Sequence, residues 1–345
     1  MNMSHSLPCQ MLSDFSNGNA QCKSFTTDFP QLRVILIICL ILGNANGQLS
    51  REYYLRTCPE SKAIVLRGVE RAVRQHPRMA ASFLRMHFHD CFVNGCDGSV
   101  LLDDTATFVG EKTALPNLHS LRGFKVIDSI KSELESACPG VVSCADILAI
   151  AARDSVMLTG GPIWSVRLGR RDNVIANKAD VVDYLPAPDF NVSLIISKFK
   201  VVGLTEKDMV TLSGAHTIGN ARCGTFSNRL GKHPDPTVEK LFLKSLRKIC
   251  SNASDSNNVI ANLDLKTPRR FDNRYYKNLQ HGRGLLNSDQ ELHSSGGSTR
   301  ELVDFYAKNK KQFFHDFRIS MIKMGNIRPL LGNQGQIRRN CRFPN

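Results

Sequence analysis

Two polar side chains four residues apart, Arg85 and His89, could do chemistry together. The apolar residues Leu84 and Phe88 recur with helical spacing and predict a helix over residues 80–91. Residues at positions i and i+4 lie on one face of a helix, so the guanidinium and the imidazole point into the same small volume. An imidazole can remove a proton there while the cation stabilises developing negative charge, which is the chemistry that a bound peroxide or oxyanion needs.

The residues that follow this helix are rich in oxygen ligands. Calcium binds carboxylates, hydroxyls and backbone carbonyls, and a glycine-containing turn can bring them together. The predicted set comprises Asp90, Val93, Gly95, Asp97 and Ser99, of which Val93 and Gly95 contribute only carbonyls. The sequence therefore predicts a calcium site next to the two catalytic candidates.

Zinc is the other metal that this segment could bind. His87, His89 and Cys91 are residue types that bind zinc. His87 and His89 are two positions apart and diverge on a helix, so the three side chains are not expected to converge on one ion. Calcium is therefore the favoured metal.

The composition is that of a soluble globular protein, since 42% of the 345 residues are hydrophobic and 22% are charged. This length is enough for one large domain or two ordinary ones. The formal net charge of +14 favours association with acidic polymers, such as cell-wall pectin, through an unspecific and salt-sensitive field. Nucleic acid is not expected as a partner, because the sequence has no basic helix, zinc finger or aromatic stacking platform.

Residues 1–47 are expected to be a leader that is removed on secretion. The apolar run at 34–42 follows an arginine and is too short to span a bilayer, and small residues precede a cleavage site at Gly47. The mature protein would begin at Gln48 and have no membrane span. Residues 1–30 exceed a usual signal n-region, so they are either an unusual leader or an overextended start of translation.

Cysteine usage agrees with secretion. Three of the 11 cysteines fall in the leader, and the remaining eight, an even number, suit four disulfides in an oxidising compartment. Counting leaves their connectivity open, although Cys91 and Cys96 could close a small loop that anchors the calcium turn. Asn191 and Asn252 each begin a glycosylation sequon.

Periodicity along the remaining chain is helical rather than alternating. Apolar positions predict amphipathic helices over 61–74 and 122–138, and strand signal is limited to a short piece around 164–168. Three pairs are typical of capping boxes at helix starts: Ser143 with Asp146, Thr205 with Asp208, and Ser298 with Glu301. We expect one mainly helical unit of about ten helices.

A second histidine, His216, lies in the segment LSGAHTIG, where glycines on both sides let a bulky group approach the backbone. Downstream, Asp264, Asp272 and Asp289 supply further oxygens. The sequence has no Cys-x-x-Cys-His motif for covalent haem attachment, and paired cysteines leave no thiolate. A haem in this protein is therefore expected to be non-covalent, with a histidine ligand.

The chain resembles the class III plant secretory peroxidases of the horseradish type over residues 48–341. The resemblance is carried by RMHFHDC at 85–91, NGCDGS at 94–99, VSCAD at 142–146, LGRRD at 168–172, LSGAHTIG at 212–219, FDN at 271–273 and SDQ at 288–290. The order and spacing of these motifs are together specific to that family. The resemblance implies a mainly α haem peroxidase fold with minor short β-strands, in which one haem b lies between a distal half (about 48–190) and a proximal half (about 191–345).

The resemblance also implies a role for each polar residue. His89 is expected to act as proton acceptor and donor, Arg85 to stabilise the transition state, and Asn117 to orient His89. His216 is expected to be the axial haem ligand, with Asp289 accepting a hydrogen bond from its other ring nitrogen.

Two calcium ions are implied as well. The first would be held by Asp90, Val93, Gly95, Asp97 and Ser99, with Glu111 acting through water, and the second by Thr217, Asp264, Thr267, Arg270 and Asp272. The implied disulfides are Cys58–Cys138, Cys91–Cys96, Cys144–Cys341 and Cys223–Cys250. Asp146 and Arg170 match a structural ion pair of the family, and Pro186 matches a residue whose carbonyl contacts phenolic donors.

The implied function is that of a secreted, monomeric cell-wall peroxidase, which reduces hydrogen peroxide and oxidises small phenolic donors by one-electron steps. Lignin or suberin cross-linking, stress response and peroxide removal are the expected roles. Leu115 and Thr225 replace aromatic residues of the horseradish-type donor site, which is a departure from the family. Only four residues follow Cys341, without the tail of vacuolar relatives, so export to the wall is expected.

Two non-catalytic functions are the alternatives. A secreted calcium-dependent polysaccharide-binding protein would explain the charge, the disulfides and the oxygen clusters. A haem carrier would explain His216. Neither needs Arg85 and Asn117 in place, so a peroxidase is favoured.

Overall fold

The computed structural model describes residues 48–251 and 259–345, and these residues form a mainly helical fold, as predicted. The helices are α1 (Ser61–Gln75), α2 (Met79–Phe92), α3 (Phe124–Ala137), α4 (Cys144–Leu158), α5 (Lys178–Tyr184), α6 (Val192–Val201), α7 (Glu206–Ser213), α8 (Lys240–Ser251), α9 (Arg274–Gln280), α10 (Asn287–Ser294), α11 (Gly297–Lys308) and α12 (Lys310–Met324). The strands β1 (Asn220–Arg222) and β2 (Ile260–Asn262) pair antiparallel. The predicted leader and the Asn252 sequon lie outside the described residues.

The amphipathic segments form the predicted helices. α1 extends one residue beyond the predicted 61–74, α3 lies within 122–138, and α2 covers 80–91. The apolar faces of α1 and α3 are buried, with Val65, Val69 and Ile130 inaccessible to solvent. These faces pack on α2 and α4 and make the first half of the main core.

Two of the three predicted capping boxes cap helices. Ser143 Oγ accepts a hydrogen bond from the Asp146 N–H at 3.1 Å, and Thr205 and Asp208 bond reciprocally at the start of α7. The third prediction was wrong, because α11 begins at Gly297, before Ser298. Two consecutive glycines with positive φ turn the chain there, and the Ser298 hydroxyl donates instead to Glu206.

The strand signal around 164–168 was also misleading. Trp164, Val166 and Leu168 are buried while the residues between them are exposed, which is the alternation of a half-buried strand. In the described structure this segment makes only one bridge, between Leu168 and Ser50. The alternation reflects packing on the core without a neighbouring strand.

Four disulfides are formed: Cys58–Cys138, Cys91–Cys96, Cys144–Cys341 and Cys223–Cys250. These are the pairs that the family resemblance implies. The last one closes a small second core, which includes Phe226 and Phe242.

Buried ion pairs hold distant segments together. Arg170 Nη1 lies 2.7 Å from Asp146 Oδ1, in the pair that the resemblance implies to be structural. Asp146 also accepts a hydrogen bond from the Tyr54 hydroxyl at 2.7 Å. Such a pair is stable in the interior because its remaining lone pairs are satisfied.

Residues 338–342 attach to the first half of the domain. Arg338 is fully buried and donates to the Gly98 carbonyl, and Arg342 Nη2 lies 2.8 Å from Asp128 Oδ2. The Cys144–Cys341 disulfide lies in the same segment. None of the helices within the described ranges is both long enough and apolar enough to cross a bilayer.

Candidate active site

Arg85 and His89 lie on one face of α2, as their spacing predicts. His89 is buried, and Arg85 is half-buried. Arg85 Nη2 donates to the Pro116 carbonyl at 2.8 Å, and Nη1 lies 3.1 Å from Ser120 Oγ. Two donors of the guanidinium are thus fixed by the loop after residue 113, which sets the direction of the cation.

Asn117 holds His89 in one orientation. Its side-chain oxygen lies 2.6 Å from His89 Nδ1, and its side-chain nitrogen donates to the Glu111 carbonyl at 2.9 Å. Because the amide nitrogen is engaged by a carbonyl, the amide oxygen faces the imidazole and Nδ1 must be the protonated nitrogen. His89 Nε2 is then a free acceptor, which is the form that a general base needs.

The electrostatics keep this pair in the required charge states. Burial, followed by the nearby Arg85 cation, lowers the pKa of His89 well below its ordinary value, while the Asn117 hydrogen bond acts in the opposite direction. Burial, with a smaller contribution from Arg222, lowers the pKa of Arg85 to about 10. At neutral pH the imidazole is therefore neutral and the guanidinium is charged.

His216 and Asp289 form the second half of the site. His216 Nδ1 lies 2.7 Å from Asp289 Oδ1, and Asp289 is buried at the start of α10. The His216 side chain is 39% exposed although it lies inside the fold, so its ring borders an open cleft. With Nδ1 donating to the carboxylate, Nε2 is the nitrogen left for a ligand.

Sequence reasoning did not find the residues that hold Asp289. The Tyr275 hydroxyl donates to Asp289 Oδ1 at 3.0 Å, and the Leu286 N–H donates to Oδ2 at 3.2 Å. Tyr275 belongs to α9 and is fully buried. Nothing in its local sequence distinguishes it from an ordinary core tyrosine.

Arg85 and His216 act on each other across the cleft. Burial and the Arg85 cation both lower the pKa of His216, but the Asp289 carboxylate raises it more, so that it lies above its ordinary value. The Arg85 cation therefore lies within electrostatic range of the His216 ring.

Two further arginines, Arg78 and Arg222, influence each other, and Arg222 also acts on Arg85. Burial, then Arg122 and Arg222, lower the pKa of Arg78. Arg222 lies at the end of β1 and donates to the His119 carbonyl. Like-charged guanidiniums that repel one another are the arrangement expected where an anionic group binds.

The first oxygen set lies in the turn after α2. Asp90 Oδ2 accepts from the Gly98 N–H at 3.1 Å, and Asp97 Oδ1 accepts from the Ser99 N–H at 3.0 Å. Asp90 Oδ1 and Glu111 Oε2 are buried without a hydrogen-bond partner among the described residues. Burial, with Asp97 adding to it, raises the pKa of Asp90 well above its ordinary value, as expected where a cation would compensate the charge.

Backbone geometry shapes this turn. Gly95 has φ of 128°, and a Cβ there would lie 2.4 Å from the Arg328 carbonyl oxygen. The Cys96 N–H donates to the Ile327 carbonyl at 2.9 Å, and Cys96 is joined to Cys91. The carbonyls of Val93 and Gly95 are thus carried by a turn fixed at both ends.

The second oxygen set lies next to His216. Thr217 Oγ1 and Thr267 Oγ1 lie 3.4 and 3.3 Å from Asp272 Oδ1. Asp264 Oδ1 accepts from the Thr267 N–H, whereas Asp264 Oδ2 is buried without a hydrogen-bond partner in the described chain. Arg270 belongs to the same turn, in which its N–H donates to the Thr267 carbonyl.

Zinc does not fit the segment around α2. Cys91 is oxidised to a disulfide with Cys96, so it offers no thiolate. No group of three or more histidine, cysteine or acidic side chains converges as a metal site within the described residues. Each oxygen set instead combines two aspartates with hydroxyls and carbonyls, as calcium sites do.

The predicted donor contact, Pro186, and the two residues that depart from the horseradish-type donor site, Leu115 and Thr225, all lie outside the α-helices. Pro186 is half-buried between α5 and α6. Leu115 is 84% exposed, in the loop that carries Asn117. Thr225 is exposed and its hydroxyl donates to the Arg222 carbonyl. Leu115 and Thr225 are therefore surface residues with no aromatic face to offer.

Comparison with known proteins extends over both sides of the cleft. A sequence profile of the family described as Peroxidase matches residues 65–309. Peroxidase 4 of Vitis vinifera is 53% identical over 306 residues, which cover 88% of this chain and 94% of that protein. Peroxidase 54 of Arabidopsis thaliana is 50% identical over 336 residues (96% of this chain, 92% of the relative), and Peroxidase 67 of the same plant is 52% identical over 318 residues (91% and 100%).

Proposed function

The chain belongs to the peroxidase family, in its class III plant branch, and is a peroxidase. On that premise we propose that it is a secreted enzyme, and that it cleaves hydrogen peroxide in a site formed by Arg85, His89 and His216. The observation that carries this proposal is the 2.6 Å contact between His89 and Asn117, which makes His89 a base beside a cation. Neither non-catalytic alternative is supported by the relatives, which are named peroxidases.

The family implies haem as the cofactor, and the residues of the cleft fit it. His216, whose Nδ1 is engaged by Asp289, would ligate the iron of a non-covalent haem b through Nε2. Arg78 and Arg222 would pair with its two carboxylates, which would relieve the repulsion between these cations. When bound, the haem supplies the redox chemistry of peroxide cleavage and of electron uptake from donors.

His89 and Arg85 would handle the protons and the charge. Neutral His89 accepts, at Nε2, the proton of one peroxide oxygen and delivers it to the other peroxide oxygen. That other oxygen then carries two protons and leaves as water. Arg85 stabilises the negative charge that develops on the departing oxygen. Asn117 keeps His89 Nε2 unprotonated and directed at the substrate. Asp289 accepts a hydrogen bond from His216 Nδ1 and would thereby give this ligand imidazolate character.

Two calcium ions would stiffen the two halves of the site. The first would bind Asp90, Val93, Gly95, Asp97 and Ser99, with Glu111 reached through water. The second would bind Thr217, Asp264, Thr267, Arg270 and Asp272. The support is that one carboxylate oxygen each of Asp90, Glu111 and Asp264 is buried without a hydrogen-bond partner among the described residues.

The donors would be small phenols, oxidised one electron at a time at the edge of the cleft near Pro186. Lignin or suberin cross-linking, the response to oxidative stress and peroxide removal follow from such chemistry. Secretion to the wall as a monomeric glycoprotein agrees with four disulfides and with Asn191, which is exposed at the start of α6. The net charge of +14 would retain the protein on acidic wall polysaccharide.

The test is peroxide-dependent oxidation of a phenol by the purified holoprotein, recorded beside its visible spectrum. His89→Ala should keep the haem spectrum and lose several orders of magnitude in the rate of reaction with peroxide, whereas His216→Ala should disturb haem binding. A near-normal peroxide rate in the first variant, or a normal spectrum in the second, would contradict the assigned roles.

A further inference from the structure

The carboxylate of Asp289 receives two hydrogen bonds on a single oxygen atom. Oδ1 lies 2.7 Å from His216 Nδ1, and it also accepts a hydrogen bond from the Tyr275 hydroxyl at 3.0 Å. The other oxygen, Oδ2, accepts from the Leu286 N–H at 3.2 Å. The Asp289 side chain is only 3% exposed, so bulk solvent has little access to it. His216 and Tyr275 therefore share one buried acceptor atom.

The fold holds Tyr275 in place for this contact. Its ring is almost fully buried and lies edge-on to the His216 ring, with the two centroids 6.2 Å apart, and the Tyr276 ring packs on it at 5.1 Å. Asp289 is the hydrogen-bond partner that the described residues give to its hydroxyl. A phenol keeps its proton at neutral pH and a carboxylate can only accept, so the direction of the bond is fixed.

A buried tyrosine usually finds some acceptor, so the bond by itself implies no role in the reaction. The choice of oxygen does imply one. A hydrogen bond stabilises the negative charge on the oxygen that accepts it, and two donors on the same oxygen compete for its electron density. The Tyr275 hydroxyl therefore weakens the pull of Asp289 Oδ1 on the Nδ1 proton of His216. That pull is what gives a histidine ligand its imidazolate character.

We propose that Tyr275 is a positioning residue, which acts through Asp289 to limit the imidazolate character of His216 and thereby sets the reduction potential of the bound haem. The inference rests on the proposed role of His216 as the haem ligand. Stronger electron donation by His216 favours the oxidised states of the haem and lowers its potential. Tyr275 thus keeps the potential high enough for the oxidation of phenols.

The experiment is spectroelectrochemical measurement of the haem potential in Tyr275→Phe, which removes the hydroxyl and keeps the ring. The equilibrium constant for reduction should fall about tenfold, which is a shift of about −59 mV for one electron. The stretching frequency of the bond between iron and histidine, measured by resonance Raman spectroscopy, should rise.

Tyr306→Phe is the matched control. Tyr306 is also buried, and its hydroxyl donates to Asp316 Oδ2 at 2.8 Å. Asp316 has no histidine among its hydrogen-bond partners in the described part of the chain, where Gln312 and Lys207 are its other contacts. This variant should lose stability as Tyr275→Phe does, and it should keep the native potential.

The sign of the shift separates the proposed role from a structural one. If the hydroxyl only held Asp289 in place, its removal would loosen the bond to His216 and raise the potential. A raised or unchanged potential in Tyr275→Phe overturns the proposal. A double-mutant cycle then tests the route through Asp289. Tyr275→Phe should have no further effect on the potential in an Asp289→Asn background, and a second full shift there would also overturn it.

A fluorotyrosine in place of Tyr275 covers the case in which phenylalanine prevents folding. It keeps the hydroxyl and makes it a stronger donor, so the potential should rise, and a fall would overturn the proposal. Failure of the proposed function is read separately from the visible spectrum. A native holoprotein without a histidine-ligated haem spectrum would contradict the function and this role together. Equal potentials in proteins that show that spectrum overturn the role of Tyr275 alone.

Discussion

Replacing Asn117 by valine tests the orientation of the proposed base. The substitution removes the acceptor that lies 2.6 Å from His89 Nδ1 and the donor to the Glu111 carbonyl. Valine is of comparable size and has no side-chain hydrogen-bonding atom, so the substitution removes both contacts. His89 would retain its place on α2 but lose the partner that keeps Nδ1 protonated and Nε2 free.

The size of the effect follows from that hydrogen bond. A buried partner left unsatisfied costs about 1–3 kcal/mol, and roughly 1.4 kcal/mol corresponds to a tenfold change in rate. The pKa of His89, already low because of burial and of Arg85, should fall further without the Asn117 bond. We therefore expect the second-order rate constant for reaction with peroxide to fall roughly 5- to 150-fold.

Stopped-flow absorbance of the holoprotein mixed with peroxide measures this rate. The matched control is Thr113→Val in the same loop, because the Thr113 hydroxyl is buried with no partner in the described chain. The control should react at the native rate. A native rate in Asn117→Val, with normal haem content and thermal unfolding, would refute the role of Asn117.

Three other outcomes can be measured on the purified protein. Asp289→Asn should lower the pKa of His216 and raise the reduction potential of the haem, which spectroelectrochemistry measures. An unchanged potential would contradict the role of Asp289 in giving His216 imidazolate character. Burial raises the pKa of Asp154 to about 6, above the roughly 3.9 of an aspartate in an unfolded chain. The contribution of the Asp154 side chain to the stability of the fold is therefore complete below about pH 3.9 and is lost as the pH rises through about 6. Asp154→Asn should therefore raise the free energy of unfolding in urea at neutral pH, by at most about 3 kcal/mol, and change it little near pH 4; equal effects at both pH values would contradict this. Serine replacement of Cys144–Cys341, whose cysteines are 197 residues apart, should destabilise the protein more than replacement of Cys223–Cys250, whose cysteines are 27 residues apart. Loop entropy predicts a loss of unfolding free energy of roughly 5 kcal/mol for the first pair and roughly 3.5 kcal/mol for the second. The reverse order of the denaturant midpoints would refute the entropic argument.

Local pattern predicted the parts of the fold that depend on local burial. The helix that carries Arg85 and His89 and the helices over 61–74 and 122–138 follow from apolar spacing, since one face of each is in the core. The start of α11 did not follow, because two glycines turn the chain before Ser298 can act as a cap. The alternation around 164–168 correctly predicted which residues are buried, but the strand that it predicted is not formed.

The candidate site was only partly accessible to sequence reasoning. Spacing along α2 placed Arg85 beside His89, but the pairs His89–Asn117 and His216–Asp289 join residues 28 and 73 positions apart. Their pairing was implied by the family resemblance and not by periodicity. Tyr275 and Arg222 have no local signal at all, because their importance comes from the neighbours that the fold brings to them.

A growing chain presents five of the eight disulfide cysteines, an odd number, before residue 145. Cys144 must wait for Cys341, 197 residues later, which is roughly 10 to 40 seconds of translation. The Gly98 turn likewise lacks its contact to Arg338 until that segment emerges. Disulfide formation in the first half therefore stays incomplete until Cys341 has emerged, and for that time the Cys144 thiol is open to exchange with the earlier cysteines.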